Sequence, residues 1–293
     1  ASVVADRLGI PFYAVDYEQE FAKLMDHFAA EYRAGRTPNP CVLCNQHLKF
    51  GHLFEIADDV GAEAVATGHY ARVVDGELHT AADGNKDQTY YLFGIDRDAL
   101  RKTLFPLGDM TKDEVRAVAE EHGIVTAQKP ESMEICFVTS GDYRDVVRAR
   151  GGAGRPGRFV DVNGGMLGVH DGVDGFTIGQ RRGLPALGAP HYVAAIDAEG
   201  GDVTLVPRDG LERMTMFVSG VRWLIDAPAD GEPVQGELKV RARHRPVSGS
   251  ITATGASAKV VFEEPVNAIT PGQAAVFYRC LLYTSDAADD RVS

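Results

Sequence analysis

Residues 48–67 read LKFGHLFEIADDVGAEAVAT and contain both kinds of element that decide the fold class. Apolar side chains from Leu48 to Val60 recur at the spacing of one helix face, and Gly61 stands where such a helix ends. The short apolar run Ala64–Thr67 follows directly and predicts a strand. A helix that leads straight into a strand is typical of an α/β domain.

Upstream of this stretch the pattern also alternates between helix and strand. It predicts a short helix over Ser2–Leu8, a strand over Phe12–Val15 and a long amphipathic helix over Tyr17–Ala34. Because the first residue is not Met and the chain enters this alternation partway, we expect that it lacks an upstream segment of the same domain.

Downstream, two local signals continue the domain. Asp75-Gly76 lies between two apolar segments and predicts a hairpin turn. Thr111 followed by Glu114 forms a capping box and predicts a helix that ends near His122. We therefore expect an α/β domain over residues 1–140.

The pattern changes after Gly141. A short helix near Tyr143 precedes short strands broken by turn signals, and we expect a small central domain over residues 141–214. Several short alternating strands then predict a C-terminal β-barrel over residues 215–278. Residues 279–293 show no periodicity, and we expect them to be a tail that is not native.

The composition is that of a folded protein, with 44% hydrophobic and 25% charged residues. No stretch approaches the ~20 apolar residues of a membrane helix, so we expect a cytoplasmic protein without a membrane partner. The net charge of −12 argues against nonspecific binding to polyanions. Residues 236–262 are an exception, because they hold five basic residues and one acidic residue.

Within that basic segment, alternation along a strand would place Arg241, Arg243 and Arg245 on one face. Three guanidinium groups on one face suit a phosphate backbone, although a solvated strand face is the alternative.

Four cysteines in 293 residues are too few for a disulfide scaffold. Cys44, in the motif Cys41-Val42-Leu43-Cys44, stands at or just before a predicted helix start, where the helix dipole would lower the thiol pKa. Cys44 is therefore a candidate nucleophile, but half of a zinc site or two small packed residues fit the same spacing. Cys136, at the edge of an apolar strand, is typical of a buried core thiol when it is considered alone. Together with Cys44 it could share a sulfur-carrying cycle if a mobile loop such as 128–131 brings them together.

Two polar motifs are weaker. Gly68 and His69 follow a predicted strand at its carboxyl end, where α/β sheets bind ligands. Gly68 would let a nucleotide approach the backbone, and His69 would contact substrate. The segment Asn85–Gln88 is a polar loop. Without further context, its sequence indicates solvated surface.

Taken in order, the motifs resemble those of the tRNA-specific 2-thiouridylases, and the resemblance covers nearly everything from Ala1 to Tyr278. The motifs that carry it are residues 35–45, 66–70, 85–88, 132–137, 177–184 and 270–278.

The resemblance implies an ATP-dependent sulfurtransferase that places sulfur at C2 of the wobble uridine (U34) of tRNA. ATP, accompanied by Mg²⁺, would adenylylate the C2 oxygen, and a protein persulfide would supply the sulfur. Cys136 would carry the persulfide, and Cys44 would be its catalytic partner, releasing product through a transient disulfide with Cys136. A cysteine desulfurase or a sulfur relay protein would deliver the sulfur.

The resemblance also implies binding residues and no metal ligand. Gly68 would touch ATP, and Asn39, Pro40 and Cys41 would face the target base. A base flipped out of the anticodon is what a buried thiol pair requires. The remaining implied tRNA contacts are His69, Lys86, Asp87, Gln88, Arg243, His244 and Gln273.

The implied fold is an adenine-nucleotide alpha-hydrolase-like α/β domain of the PP-loop ATP pyrophosphatase type, a small central domain and a C-terminal β-barrel. The family's Ser-Gly-Gly-x-Asp-Ser phosphate loop belongs upstream of Ala1, so we expect an incomplete nucleotide-binding domain that is inactive alone. Position 41 is Cys where some members carry Asp, which leaves both Cys41 and Cys44 open as the active thiol. The Leu-Cys-Asn context favours Cys44.

Two other functions stay open at this point. A nonenzymatic, zinc-stabilised RNA-binding protein would use Cys41, Cys44 and two of Cys136, His47 and His69 as ligands. Another ATP pyrophosphatase acting on a small amide or acid would show no pyrophosphate release stimulated by tRNA, and the basic segment counts against it.

Overall fold

The α/β part of the chain consists of helices around two pairs of short strands. The computed structural model describes residues 2–128, 135–138, 141–279 and 281–286. The elements of this part are α1 (Ser2–Leu8), α2 (Glu18–Arg33), α3 (Pro40–Leu43), a π-helix (Cys44–His52), α4 (Leu53–Asp59), β1 (Val65–Ala66), β2 (Ala71–Val74), β3 (Glu77–Thr80), α5 (Arg97–Arg101), β4 (Thr103–Leu104) and α6 (Lys112–Glu121).

Local signals in this part are confirmed. Strands β2 and β3 form the predicted hairpin, and Asp75 and Gly76 at its turn have φ of 52° and 80°, which a tight hairpin requires. Thr111 and Glu114 form the capping box at the start of α6. Strand β1 pairs in parallel with β4. The α/β fold class is therefore correct for this part of the chain.

The predicted strand over Phe12–Val15 is wrong. This segment has no strand assignment, and Phe12, Tyr13 and Val15 are all exposed. Among the described residues it has no neighbouring strand with which to form a ladder, and an apolar run without a ladder partner does not become a strand.

The predicted helix over 48–60 begins eight residues earlier than expected. Pro40 starts it, and α3, the π-helix and α4 follow one another without a break from Pro40 to Asp59. A π-helix closes its hydrogen bonds over five residues instead of four, is rare, and occurs frequently at functional sites.

The central part contains α7 (Tyr143–Gly151) and a four-stranded sheet of order β6-β5-β8-β7, in which β5 and β8 are parallel. Asp174 is completely buried beside this sheet. Its carboxylate accepts from the Gly154 N–H at 2.9 Å and from Arg148 Nε at 3.2 Å, which satisfies the buried charge. The strands are β5 (Gly157–Val160), β6 (Met166–His170), β7 (Tyr192–Ile196) and β8 (Asp202–Val206).

The C-terminal part is a closed barrel of order β10-β11-β12-β9-β14-β13. Its strands are β9 (Glu212–Arg222), β10 (Pro233–Lys239), β11 (Val247–Thr254), β12 (Ser257–Asn267), β13 (Ala274–Arg279) and β14 (Leu281–Asp286). Inward side chains such as Val260, Phe262 and Phe277 fill it. Strand β14 closes the barrel between β13 and β9, within the segment that the sequence analysis left out of the barrel.

Candidate active site

The loop before the first cysteine is held at Thr37 by the other two parts of the chain. The Thr37 N–H donates to Pro271 O, and Gln273 Nε2 donates to Thr37 O, both at 2.8 Å. The hydroxyl of Thr37 lies 3.3 Å from that of Thr177 in the central part. A Cβ on Gly272 would lie only 2.9–3.0 Å from Thr37 backbone atoms. The barrel therefore sets the position of the helix that carries the cysteines.

Asn39 and Pro40 open that helix. Asn39 has an extended backbone (φ −109°, ψ 91°), and Pro40 occupies the first helical turn, where its missing N–H costs no hydrogen bond. The Asn39 side chain lies within hydrogen-bonding reach of the Tyr90 hydroxyl, which donates to Ala274 O at 2.7 Å. Of the three residues implied to face the base, Pro40 is buried, Asn39 is half-buried and Cys41 is exposed.

Cys44 does not lie at a helix start, contrary to expectation. It is one turn inside the helix, and its own N–H is satisfied because it donates to Pro40 O. Burial raises the pKa of the Cys44 thiol, and the positive charge of Lys49 offsets part of that rise. The expected lowering of the pKa by the helix dipole is therefore wrong.

Cys136 lies on an exposed turn and not at a strand edge. The ring of Phe137 anchors this turn edge-on against Phe21 and Phe28 of α2, at centroid distances of 5.8 and 5.1 Å. The apolar neighbours that resembled a strand thus dock the turn on a helix. Residues 129–134, which include most of the loop predicted to be mobile, lie outside the described residues.

The structure brings three thiols to one place. A Cys136 thiolate raises the pKa of both Cys41 and Cys44, so the three sulfur atoms lie within electrostatic range of each other. All three are free thiols. Cys44 also opens into a cavity of about 480 Å³ with a mainly apolar wall. The cavity is lined by Asp16, Tyr17, Glu18, Phe21, Cys44, Leu48, Lys49 and Leu53.

His69 is buried, and both of its ring nitrogens have partners. Lys49 Nζ lies 3.2 Å from Nε2, and Thr67 Oγ1 lies 2.9 Å from Nδ1. Because an ammonium group only donates, Nε2 accepts from Lys49, and the Nδ1 proton is donated to Thr67. Burial, and then the Lys49 charge, lowers the pKa of His69 to about 4. His69 was predicted from its motif, whereas the contacts of Lys49 and Thr67 with its ring appear only in the structure.

Acidification is expected to destabilise the fold through His69. Its pKa is about 4 in the folded state and 6.5 when unfolded. The unfolded state therefore binds the proton more tightly, and stability present above pH 6.5 is lost between pH 6.5 and 4, up to about 3 kcal/mol. Urea unfolding at pH 7 and pH 5 should show a smaller loss for His69→Gln than for the wild type. Equal losses would contradict this origin, and His191→Gln is the control.

The nearby residue Gly68 is exposed at the carboxyl end of β1. A Cβ placed on it would approach nothing closer than Leu107 Cδ1 at 3.7 Å. The backbone at this edge is therefore open to a ligand, but packing within the protein does not require glycine here.

The loop that carries Lys86, Asp87 and Gln88 is tied to its own domain. Asp87 accepts from the Ala81 N–H at 3.0 Å and from the hydroxyl of Thr89 at 2.7 Å. Gln88 Oε1 accepts from the Tyr70 N–H at 3.0 Å, and Tyr70 O accepts from the Gln88 N–H at 2.9 Å. These bonds shape the loop, and all three side chains are half-buried.

The expected face of three arginines is wrong, because β10 ends at Lys239 and the arginines lie in the turn that follows. Arg241 Nη2 points inward and donates to Ile178 O at 3.0 Å and Ala268 O at 2.6 Å, which joins the central part to the barrel. Arg245 pairs with Glu264 at 2.6 Å.

Arg243 differs from its two neighbours. It is exposed, and among the described residues no carboxylate lies within salt-bridge distance of it. Burial and then Cys41 raise the pKa of Tyr91, and the charge of Arg243 offsets part of that rise, so Arg243 and Cys41 both lie within electrostatic range of Tyr91. Next to Arg243, His244 is half-buried, and burial lowers its pKa. Arg243 is therefore near the Tyr91 side chain, which is also near Cys41.

A zinc centre gains no support from His69. Both of its nitrogens are engaged, and the Lys49 ammonium beside it repels a cation. In residues 2–128, 135–138, 141–279 and 281–286, no group of three or more His, Cys, Asp or Glu side chains is arranged to hold a metal ion.

Within the described part of the chain, no helix has the length and apolar character needed to cross a membrane.

Three family models match the chain in succession. They are the tRNA methyl transferase HUP domain over residues 1–140, the tRNA methyl transferase PRC-barrel domain over 145–207 and the aminomethyltransferase beta-barrel domain over 213–283. This succession confirms the predicted fold class of an α/β domain, a small central domain and a barrel.

Individual relatives agree with the models. The tRNA-specific 2-thiouridylase MnmA of Maricaulis maris is 45% identical over 286 residues, which is 95% of this chain and 70% of that protein. The protein of the same name from Carboxydothermus hydrogenoformans is 44% identical, over 94% of this chain and 78% of its own length. On this similarity and the three model matches, the chain belongs to the tRNA-specific 2-thiouridylase family.

Proposed function

We propose that the protein transfers sulfur to C2 of the wobble uridine of tRNA, with ATP as the activating substrate. The observation that carries the proposal is that Cys44 and Cys136, distant in the sequence, lie within electrostatic range of each other, and that Cys44 lines a cavity. Family membership supports the substrate class, because the relatives are named for tRNA 2-thiolation.

ATP is needed because the C2 oxygen of uridine is a poor leaving group. Attack of that oxygen on ATP, bound with Mg²⁺, forms an adenylylated uridine and releases pyrophosphate. The open backbone at Gly68 is the described part of the chain that we assign to ATP. The oxygen then leaves as part of AMP when a sulfur nucleophile attacks C2.

Cys136 would supply that nucleophile as a persulfide. Its terminal sulfur bonds to C2 as AMP leaves, which links the base to Cys136 through two sulfur atoms. The Cys44 thiolate then attacks the Cys136 sulfur, breaks the bond to the outer sulfur and releases 2-thiouridine. The resulting Cys44–Cys136 disulfide needs an external thiol to reduce it, and a persulfide from a cysteine desulfurase or sulfur relay protein reloads Cys136. The exposure of Cys136 suits such a donor.

The tRNA would reach the thiols on the side marked by Cys41, Tyr91 and Arg243. The helix that carries Cys41 and Cys44 starts at Asn39, Pro40 and Cys41, and a flipped-out base would contact these three residues. Gln273 would act by holding Thr37, since its amide is bonded there. The other residues assigned to tRNA are His69, Lys86, Asp87, Gln88, Arg243 and His244.

Arg243→Ala is expected to weaken tRNA binding several-fold and to reduce the slope of log affinity against log salt by about one. The reason is that a phosphate contact releases one counterion equivalent. Arg245→Ala should have a smaller effect, because Glu264 already compensates its charge. Filter binding across a salt series measures the tRNA affinity and its salt dependence. Equal salt slopes for Arg243→Ala and the wild type would show that Arg243 does not contact a phosphate of the tRNA.

The proposed function is tested with the protein produced from its full-length gene. It is incubated with tRNA, ATP and a persulfide donor, and the nucleosides are analysed by mass spectrometry. We expect 2-thiouridine at the wobble position and pyrophosphate release that tRNA stimulates. If tRNA does not change the rate of pyrophosphate release and no 2-thiouridine forms, the proposal is overturned in favour of a small-molecule ATP pyrophosphatase.

A further inference from the structure

The π-helix gives Lys49 a place that an α-helix would not. In an α-helix, a residue five positions after Cys44 is turned by about 140° from it. In a π-helix the hydrogen bonds join residues five apart, so Lys49 stacks above Cys44 on the same side. Consistent with this register, both side chains line the same cavity.

The Lys49 ammonium is held in place by His69. The 3.2 Å bond to Nε2 engages one of its three protons, and the Thr67 hydroxyl fixes the tautomer of the ring. His69 itself packs against the rings of Phe50 and Phe105, at centroid distances of 5.8 and 6.2 Å. A neutral acceptor holds the ammonium without neutralising its charge, so that the charge acts on groups in the cavity.

The charges that face Cys44 come from every element packed around it. Cys41 on α3 and Cys136 on its turn are negative when ionised, and Asp16 and Glu18 at the start of α2 line the cavity. Among these groups, Cys136 raises the pKa of the Cys44 thiol, whereas Lys49 lowers it. Lys49 is the cation among the residues that line the cavity.

We propose that Lys49, stacked on Cys44 by the π-helix and held by His69, is the positioning residue that makes the Cys44 sulfur easier to ionise for its attack during product release. The inference rests on the proposed sulfur transfer for its purpose, because the thiolate is the form that attacks the Cys136 sulfur. It gives the π-helix a role, since an α-helical register would separate the cation from the sulfur.

The test titrates Cys44 directly, without tRNA or ATP. The full-length protein is alkylated with iodoacetamide at pH 7–11.5, and mass spectrometry follows the peptide that contains Cys44. In Lys49→Met the midpoint pH of alkylation is expected to rise by about one unit or more. Lys49→Arg should keep the midpoint near that of the wild type, because it restores the charge. Lys23→Met, at an exposed lysine of α2, is the matched control.

An unchanged midpoint in a folded Lys49→Met protein would overturn the inference, because a lysine that only supports His69 would not move it. Lys49→Gln is examined in parallel, so that misfolding of one variant leaves a second neutral replacement. A raised midpoint with no 2-thiouridine from the wild type would uphold the electrostatic role and reject the proposed function. Failure of the inference about Lys49 and failure of the proposed sulfur transfer are therefore distinguishable.

Discussion

Replacing either Cys44 or Cys136 by Ser is expected to lower the rate of 2-thiouridine formation at least about 10³-fold. A serine hydroxyl neither carries a persulfide nor attacks one, so both halves of the transfer are lost. The readout is mass spectrometry of nucleosides from tRNA incubated with each variant of the full-length protein, ATP and a persulfide donor.

Cys41→Ser is the matched control, since Cys41 lies on the same helix as Cys44 but is not among the residues that line the cavity. It should retain activity within about tenfold, because it removes no reacting sulfur. Substantial thiolation by Cys44→Ser or Cys136→Ser would remove the two-thiol mechanism. Loss in Cys41→Ser with retention in Cys44→Ser would transfer the catalytic role to Cys41.

Gly272→Ala is expected to damage both stability and thiolation. The residue has φ of +88°, and an added Cβ would lie 2.9–3.0 Å from the backbone of Thr37, which cannot yield as a flexible side chain would. The barrel must then move away from the loop that holds Thr37, and the hydrogen bond from Gln273 to Thr37 O is strained or broken. Activity should fall because Asn39 and the helix behind it lose their support.

Gly231→Ala separates the two causes of that damage. Gly231 has φ of +81° but nothing within 4 Å of an added Cβ, so it carries only the cost of the left-handed backbone, roughly 1–2 kcal/mol. Gly272→Ala should lose a further ~1–3 kcal/mol in urea unfolding, from the close contact. Equal losses in the two variants, with full thiolation in both, would show that the contact at Thr37 does not position the thiols.

Sequence signals that act over a few residues predicted the structure well. The capping box at Thr111 and Glu114 and the turn at Asp75-Gly76 both form as expected, because the groups that satisfy the backbone are neighbours in the chain. The order of an α/β part, a small sheet and a barrel was also predictable, because it follows from runs of periodic residues. The strand at Phe12–Val15 failed because a strand needs a partner that its own sequence does not specify.

The site was only partly predictable for the same reason. Cys44 and Cys136 were singled out by residue type and by family resemblance, but their surroundings were not. The sequence placed Cys136 in a strand, whereas the packing of Phe137 on α2 makes it a turn. The nearness of Lys49 to Cys44 was not predictable, because α-helical spacing would direct the Lys49 side chain away from Cys44.

The amino-acid sequence by itself determined the helices, the hairpin, the three-part order of the chain and which thiols are available. The tertiary structure alone decided that three thiols lie within electrostatic range of each other and that Lys49 shares a cavity with Cys44. It also decided that Arg241 joins two domains while Arg243 is exposed, and that the barrel holds Thr37. Short-range hydrogen bonding and periodic burial are encoded in neighbouring residues. Contacts between residues far apart in the chain depend on how whole elements pack, and local sequence patterns do not specify that packing.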